Sequence, residues 1–132
     1  MIIKTKSGGI EIKEKVGVFC DINNTFLIKK DNVLQGVFCD IDETFLIEGK
    51  INEKVLQMLL DYEKQEKKIY LWTGGGSIYI LKKIFKNILD IEWPILIKNY
   101  FIGHEVEIVL DNMSEEEFTT RYGIKCKQYI KV

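Results

Sequence analysis

Four short apolar runs in this chain each stop on a polar residue that can do chemistry: Gly36 to Cys39 on Asp40, Lys68 to Trp72 on Thr73, Ile95 to Ile97 on Lys98, and Val106 to Leu110 on Asp111. Runs this short, rich in β-branched and aromatic residues, read as strands buried on both faces, the pattern of a parallel sheet. Helical stripes lie between them. Asn52 is expected to cap a helix to about Lys67, in which Val55, Leu56, Met58, Leu59 and Tyr62 share a face and Glu53 stands in the favourable first turn. Ser77 is expected to cap a second, carrying Ile78, Leu81, Ile84, Phe85 and Ile88. Ser114 to Tyr122 makes a third, stopped by Gly123 before a last strand at Cys126 to Val132. Strands alternating with helices at this spacing predict an α/β fold, a parallel sheet flanked by helices. Ligands of such sheets bind beyond the carboxyl ends of the strands, so Asp40, Thr73, Lys98 and Asp111 are expected at one rim.

Composition removes several classes of function. With 132 residues, 46% hydrophobic and 30% charged, the chain suits one soluble core. No apolar run reaches the ~20 residues that cross a bilayer, and the first residues lack the pattern of a secretory leader, so a cytoplasmic location is expected. The formal net charge is −1 and the lysines are interleaved with acids or spread around helix faces, which gives no clustered basic footprint for nucleic acid. Cys20, Cys39 and Cys126 are odd in number and sit in apolar surroundings, as buried structural thiols do. His104, the single histidine, is expected in a turn with an exposed or capping role.

Asp40 and Asp42 stand two residues apart just past a predicted strand. Two neighbouring carboxylates repel unless a cation sits between them, and Mg²⁺, which prefers oxygen ligands, is the natural one, with Asp111 as a third acid. A hard cation held by few carboxylates leaves room for water and phosphate oxygens. In that setting one aspartate can attack phosphorus while the other transfers protons. Thr73 and the backbone N–H groups of Gly74 and Gly75 can hold phosphoryl oxygens near the start of the following helix, and Lys98 can neutralise charge. Asp-x-Asp also opens calcium loops, but Phe45 stands where such a loop needs glycine and Ile51 where it needs glutamate. Gly74 to Gly76 lack the lysine and spacing of a P-loop.

These residues resemble the haloacid dehalogenase superfamily. DIDET at 40–44 is similar to its DxDxT motif, WTGG at 72–75 to its second motif, and Lys98 and VEIVLDN at 106–112 to its third and fourth. The resemblance spans about Gly36 to Val132 and implies a Rossmann-like phosphatase core. It implies Asp40 as nucleophile, Asp42 as general acid and base, Thr73 and Lys98 on phosphate, and Asp40, Asp42 and Asp111 around Mg²⁺. The activity implied is Mg²⁺-dependent hydrolysis of a phosphomonoester through an aspartyl phosphate. The pattern departs from the family's at Asn112, where a second acid is frequent, although Glu115 lies three residues beyond it. The 28 residues between Thr44 and Thr73 leave room for a flap hairpin and one helix but no cap domain. Members without caps act on large substrates or close the site with a neighbouring subunit. A phosphorylated small molecule or macromolecule, and a homo-oligomer, are the partners implied; a catalytically silent binding or assembly protein on the same fold is the alternative.

The phrase GVFCDIDETFLI (36–47) also has a near copy nineteen residues earlier, GVFCDINNTFLI (17–28), identical at ten of twelve positions. The copy keeps Asp21 and Thr25 but has Asn23 in place of the second acid, and a neutral amide cannot give and recover a proton. Asn23-Asn24 between two β-prone runs is a hairpin signal. Residues 10 to 30 are therefore expected to form a β-hairpin at a sheet edge or over the site. The division expected is an N-terminal β-rich extension, 1–35, packed on a catalytic core, 36–132.

Overall fold

The computed structural model describes residues 2–3, 11–13, 26–74 and 93–132. Five parallel strands make the centre of the sheet, in the order β8-β7-β4-β9-β10: β4 is Val33–Asp40, β7 Ile69–Thr73, β8 Ile95–Ile97, β9 Glu105–Asp111 and β10 Lys125–Lys131. The chain begins this sheet in its middle, builds outward through β7 and β8, then returns to the other side of β4 for β9 and β10. The order therefore reverses between β4 and β9, which makes the crevice beyond their carboxyl ends the switch point of the sheet.

Residues of the central strands divide between two opposite layers. Val37, Cys39, Ile69, Leu71, Ile108 and Leu110 pack with Val55 and Leu59 of helix α1 (Glu53–Lys64). Phe38, Tyr70, Trp72, Val106 and Val109 pack with Phe118 of helix α2 (Glu115–Tyr122). Burial on both faces is why these strands are apolar without alternation. Helix α1 starts where Asn52 accepts the Lys54 N–H at 3.2 Å, but ends at Lys64, three residues before the expected Lys67, because the backbone turns left-handed at Glu66 (φ 65°). Ser114 caps α2 by accepting from the Glu117 N–H, and Gly123 (φ 64°) ends it. The helix expected from Ser77, with Ile78, Leu81, Ile84, Phe85 and Ile88, lies outside the described residues, as do Gly75 and Cys20. Among the described residues no helix is long and apolar enough to cross a membrane.

The N-terminal strands extend the sheet. β1 (Ile2–Ile3) pairs antiparallel with β2 (Glu11–Lys13), and β2 runs parallel to β3 (Phe26–Lys30). The Asn23-Asn24 turn and the strand before it lie outside the described residues. A two-residue hairpin does occur further on: β3 turns through Asp31 (φ 52°) and Asn32 (φ 64°) into β4, the left-handed pair that such a turn requires. β4 pairs with β3 only at Val33 and Leu34; past an irregularity at Gln35-Gly36 the same edge pairs with β7. Gly36 (φ 123°) makes the bulge possible, since a Cβ there would meet the Tyr70 ring at 2.7 Å and the Lys68 carbonyl at 2.9 Å. A small hairpin, β5 (Leu46–Ile47) and β6 (Lys50–Ile51), turns through Glu48 and Gly49 between β4 and α1, filling the space left for a flap.

Candidate functional site

Asp40, the last residue of β4, and Asp111, the last of β9, end adjacent strands on either side of the switch point. Lys98 opens a short 3₁₀ turn, Lys98–Phe101, just after β8, and the buried Phe101 anchors that turn in the core. Its ammonium crosses β7 to reach both acids, with Nζ 2.6 Å from Asp40 Oδ1 and 3.3 Å from Asp111 Oδ2. Lys98 is 1% exposed and Asp111 0%, so this is a buried charge cluster, and a strand-end lysine reaching for solvent is excluded.

The loop after β4 folds back on its own acid. The Phe45 N–H donates to the Asp40 carbonyl (3.1 Å) and the Leu46 N–H to the Ile41 carbonyl (2.8 Å), with Glu43 left-handed (φ 60°) between them. This coil brings Thr44, itself buried, beneath Asp40, where its hydroxyl lies 3.1 Å from Asp40 Oδ2 and 3.2 Å from Asn112 Oδ1. Asn52 fixes the loop to α1, donating its side-chain N–H to the Thr44 carbonyl (3.2 Å) while it caps the helix. On the other side, the Met113 N–H donates to Asp111 Oδ1 (3.1 Å), so Asp111 closes the turn that follows β9. The Tyr129 hydroxyl donates to the Met113 carbonyl (2.7 Å) and holds that turn from β10.

Burial raises the Asp40 carboxyl from its ordinary 3.8 to about 6; Lys98 and the Thr44 hydroxyl oppose the rise and Asp111 adds to it. Burial pulls the Lys98 ammonium down, but Asp40 and then Asp111 outweigh it and leave it above its usual value. The result is one ammonium facing two acids. Asp40, Asp42, Lys98, Asn112 and Gly74 line one cleft of about 820 Å³, together with Glu43, Asn99, Met113, Glu117, Arg121 and Tyr122. Thr73 is buried at the end of β7 directly before Gly74.

The structure thus brings together Asp40, Lys98 and Asp111 in direct contact, with Gly74 on the cleft wall. Asp42 also lines the cleft but is exposed, and it makes no hydrogen bond among the described residues. Among the described residues no group of three His, Cys, Asp or Glu side chains converges as metal ligands. Two carboxylates with the Asn112 amide oxygen beside them nevertheless form an all-oxygen set, which suits a hard cation that keeps most of its waters. Asp40 and Asp111 fit such a two-carboxylate site, and Asp42 does not stand with them.

Thr44 and Asn112 were visible in the sequence as parts of motifs, without a sign that they would share a hydrogen-bonded chain to Asp40. Tyr122 gave less warning; its spacing from Phe118 on the same helix face was the one cue. Cys39 is buried beside Asp40 and burial pushes its thiol far up, while Cys126 is half-buried and burial raises it to about 11. His104 is half-buried in the turn before β9 and is lowered by burial and by Lys29.

Compared with known proteins, the chain matches no family model, and no curated protein or solved structure is significantly similar to it.

Proposed function

We propose that this chain is a phosphomonoester hydrolase of the haloacid dehalogenase type that works through an aspartyl phosphate on Asp40. The observation that carries the reading is the state of the Asp40 carboxylate. It is buried at the switch point, held by Lys98 on one oxygen and Thr44 on the other, and open to the cleft. A carboxyl near 6 is largely ionised at neutral pH and more basic than an ordinary aspartate, which favours attack.

One Asp40 oxygen attacks phosphorus, and the bond from phosphorus to the ester oxygen breaks. Asp42, exposed at the mouth where a leaving group departs, gives its proton to that oxygen. It then takes a proton from a water that attacks the acyl phosphate, the bond from phosphorus to Asp40 breaks, and inorganic phosphate leaves. Lys98 balances charge on Asp40 in both steps, and the Thr73-Gly74 strand end supplies backbone and hydroxyl donors to phosphoryl oxygens. Mg²⁺, with Asp40 and Asp111 as the residues that would hold it, supplies further neutralisation of the phosphate when bound.

The test is Mg²⁺-dependent phosphate release from an aryl phosphate such as p-nitrophenyl phosphate and from a phosphometabolite panel. Wild type is expected to turn over, and Asp40→Asn to lose at least about a thousandfold of the rate, as a missing nucleophile does. Folded wild type that releases nothing and binds no beryllium fluoride would sink the hydrolase and leave the silent binding protein.

A further inference from the structure

We infer that Tyr122 is a positioning residue, whose ring face holds the Lys98 ammonium against Asp40 and Asp111. The inference rests on the hydrolase reading for its kinetic consequence and on the geometry alone for the contact. An ammonium has three N–H bonds to satisfy. Two meet carboxylates, Asp40 at 2.6 Å and Asp111 at 3.3 Å; the Tyr122 ring centroid, 4.4 Å from Nζ, offers its negative face to the cation. Lys98 is 1% exposed, so no comparable hydration competes for that side.

The ring has little freedom to leave this position. Tyr122 is the last residue of α2, directly before the left-handed Gly123, and its ring packs on Phe118 with centroids 5.4 Å apart. Its other edge lies against the chain just past β7. A Cβ built on Gly74 would come within 3.1 Å of the Tyr122 hydroxyl oxygen and 3.2 Å of Cε1. One aromatic side chain therefore bridges α2, the end of β7 and the lysine that follows β8. A lysine stem is flexible over four carbons, and two acids alone allow the ammonium to slide from one to the other. With the third side occupied by the ring, Nζ is held within reach of both Asp40 and Asp111.

The contact belongs to the ring, so removing only the hydroxyl should preserve it. Tyr122→Phe is expected to stay within about twofold of the wild-type kcat, whereas Tyr122→Leu, which has no π face, should lower kcat about tenfold with KM within twofold. Equal losses in both variants, a loss confined to KM, or an unaffected Leu variant would each overturn the assignment. A second measurement is independent of catalysis: ¹⁵N NMR of the Lys98 ammonium, assigned by its disappearance in Lys98→Met. A slowly exchanging signal is expected in wild type and Tyr122→Phe and its loss in Tyr122→Leu. Persistence in the Leu variant, or no such signal in wild type, rejects the hold on Lys98. If wild type releases no phosphate the hydrolase reading fails, and the NMR comparison still decides Tyr122. Should Tyr122→Leu melt below the working temperature, Tyr122→Met provides the same comparison.

Discussion

The two ends of the sheet each pair a lysine with acid, and they do so in opposite ways. At the amino end, Lys67 contacts Glu107, whose other oxygen accepts the Gly36 N–H at 2.9 Å. There one cation meets one anion, the side chains remain 34% and 19% exposed, and the acid also serves the bulge in β4. At the carboxyl end, Lys98 faces Asp40 and Asp111 together, with 1%, 8% and 0% exposure. The first arrangement is balanced, hydrated and structural. The second leaves an excess negative charge on two largely buried acids, and folding gains nothing from that excess. Groups held in electrostatic discomfort at the switch point of an α/β sheet are what a reactive site requires.

Removing the lysines should break the comparison open most widely. Lys98→Met leaves two buried acids without a cation and is expected to lower stability by about 3–5 kcal/mol in urea denaturation at pH 7.5. A loss near that of an ordinary surface pair would mean that the cluster is wetter than its burial implies.

The Asp40 carboxyl gives the next largest effect. Its folded value of about 6 exceeds the ordinary 3.8, so the native state holds the proton more tightly than the unfolded chain between those values. Its contribution is therefore most favourable below about pH 4 and is lost as pH rises to about 6, a change of up to about 3 kcal/mol. Asp40→Asn lacks this change. In chelator, the stability of the variant relative to wild type should rise with pH across that window. A flat difference would show that Lys98 compensates the buried charge fully.

The smallest effect is expected at the amino end. Lys67→Met should cost less than about 1 kcal/mol, because a partly exposed pair is screened and Glu107 keeps its bond to Gly36. Equal losses for the two lysine variants would erase the distinction between the two ends of the sheet.

Much of the frame was legible before the structure. Three-residue β8 coincides with Ile95–Ile97, and the other central strands begin and end within three residues of the apolar runs that predict them. Asn52 caps the helix expected of it, and the helix expected from Ser114 to Tyr122 forms with Ser114 as its cap and Gly123 as its stop. These features depend on neighbours a few positions apart, so a single sequence carries them. Beyond the central runs the sequence was less explicit. β4 starts at Val33, ahead of the boundary placed at residue 35, because the strand needs β3 as an edge before β7 takes over.

By itself the sequence determined which residues end the strands, and thereby which four side chains could meet at one rim. Tertiary structure alone decided how they meet. Lys98 touches an acid 58 residues away and another 13 residues away, Thr44 a neutral amide 68 residues away, and Tyr122 the chain beyond β7. Strand ends follow from local hydrophobic pattern; the sharing of one ammonium between two carboxylates follows from strand order and buried distance, which no local pattern encodes.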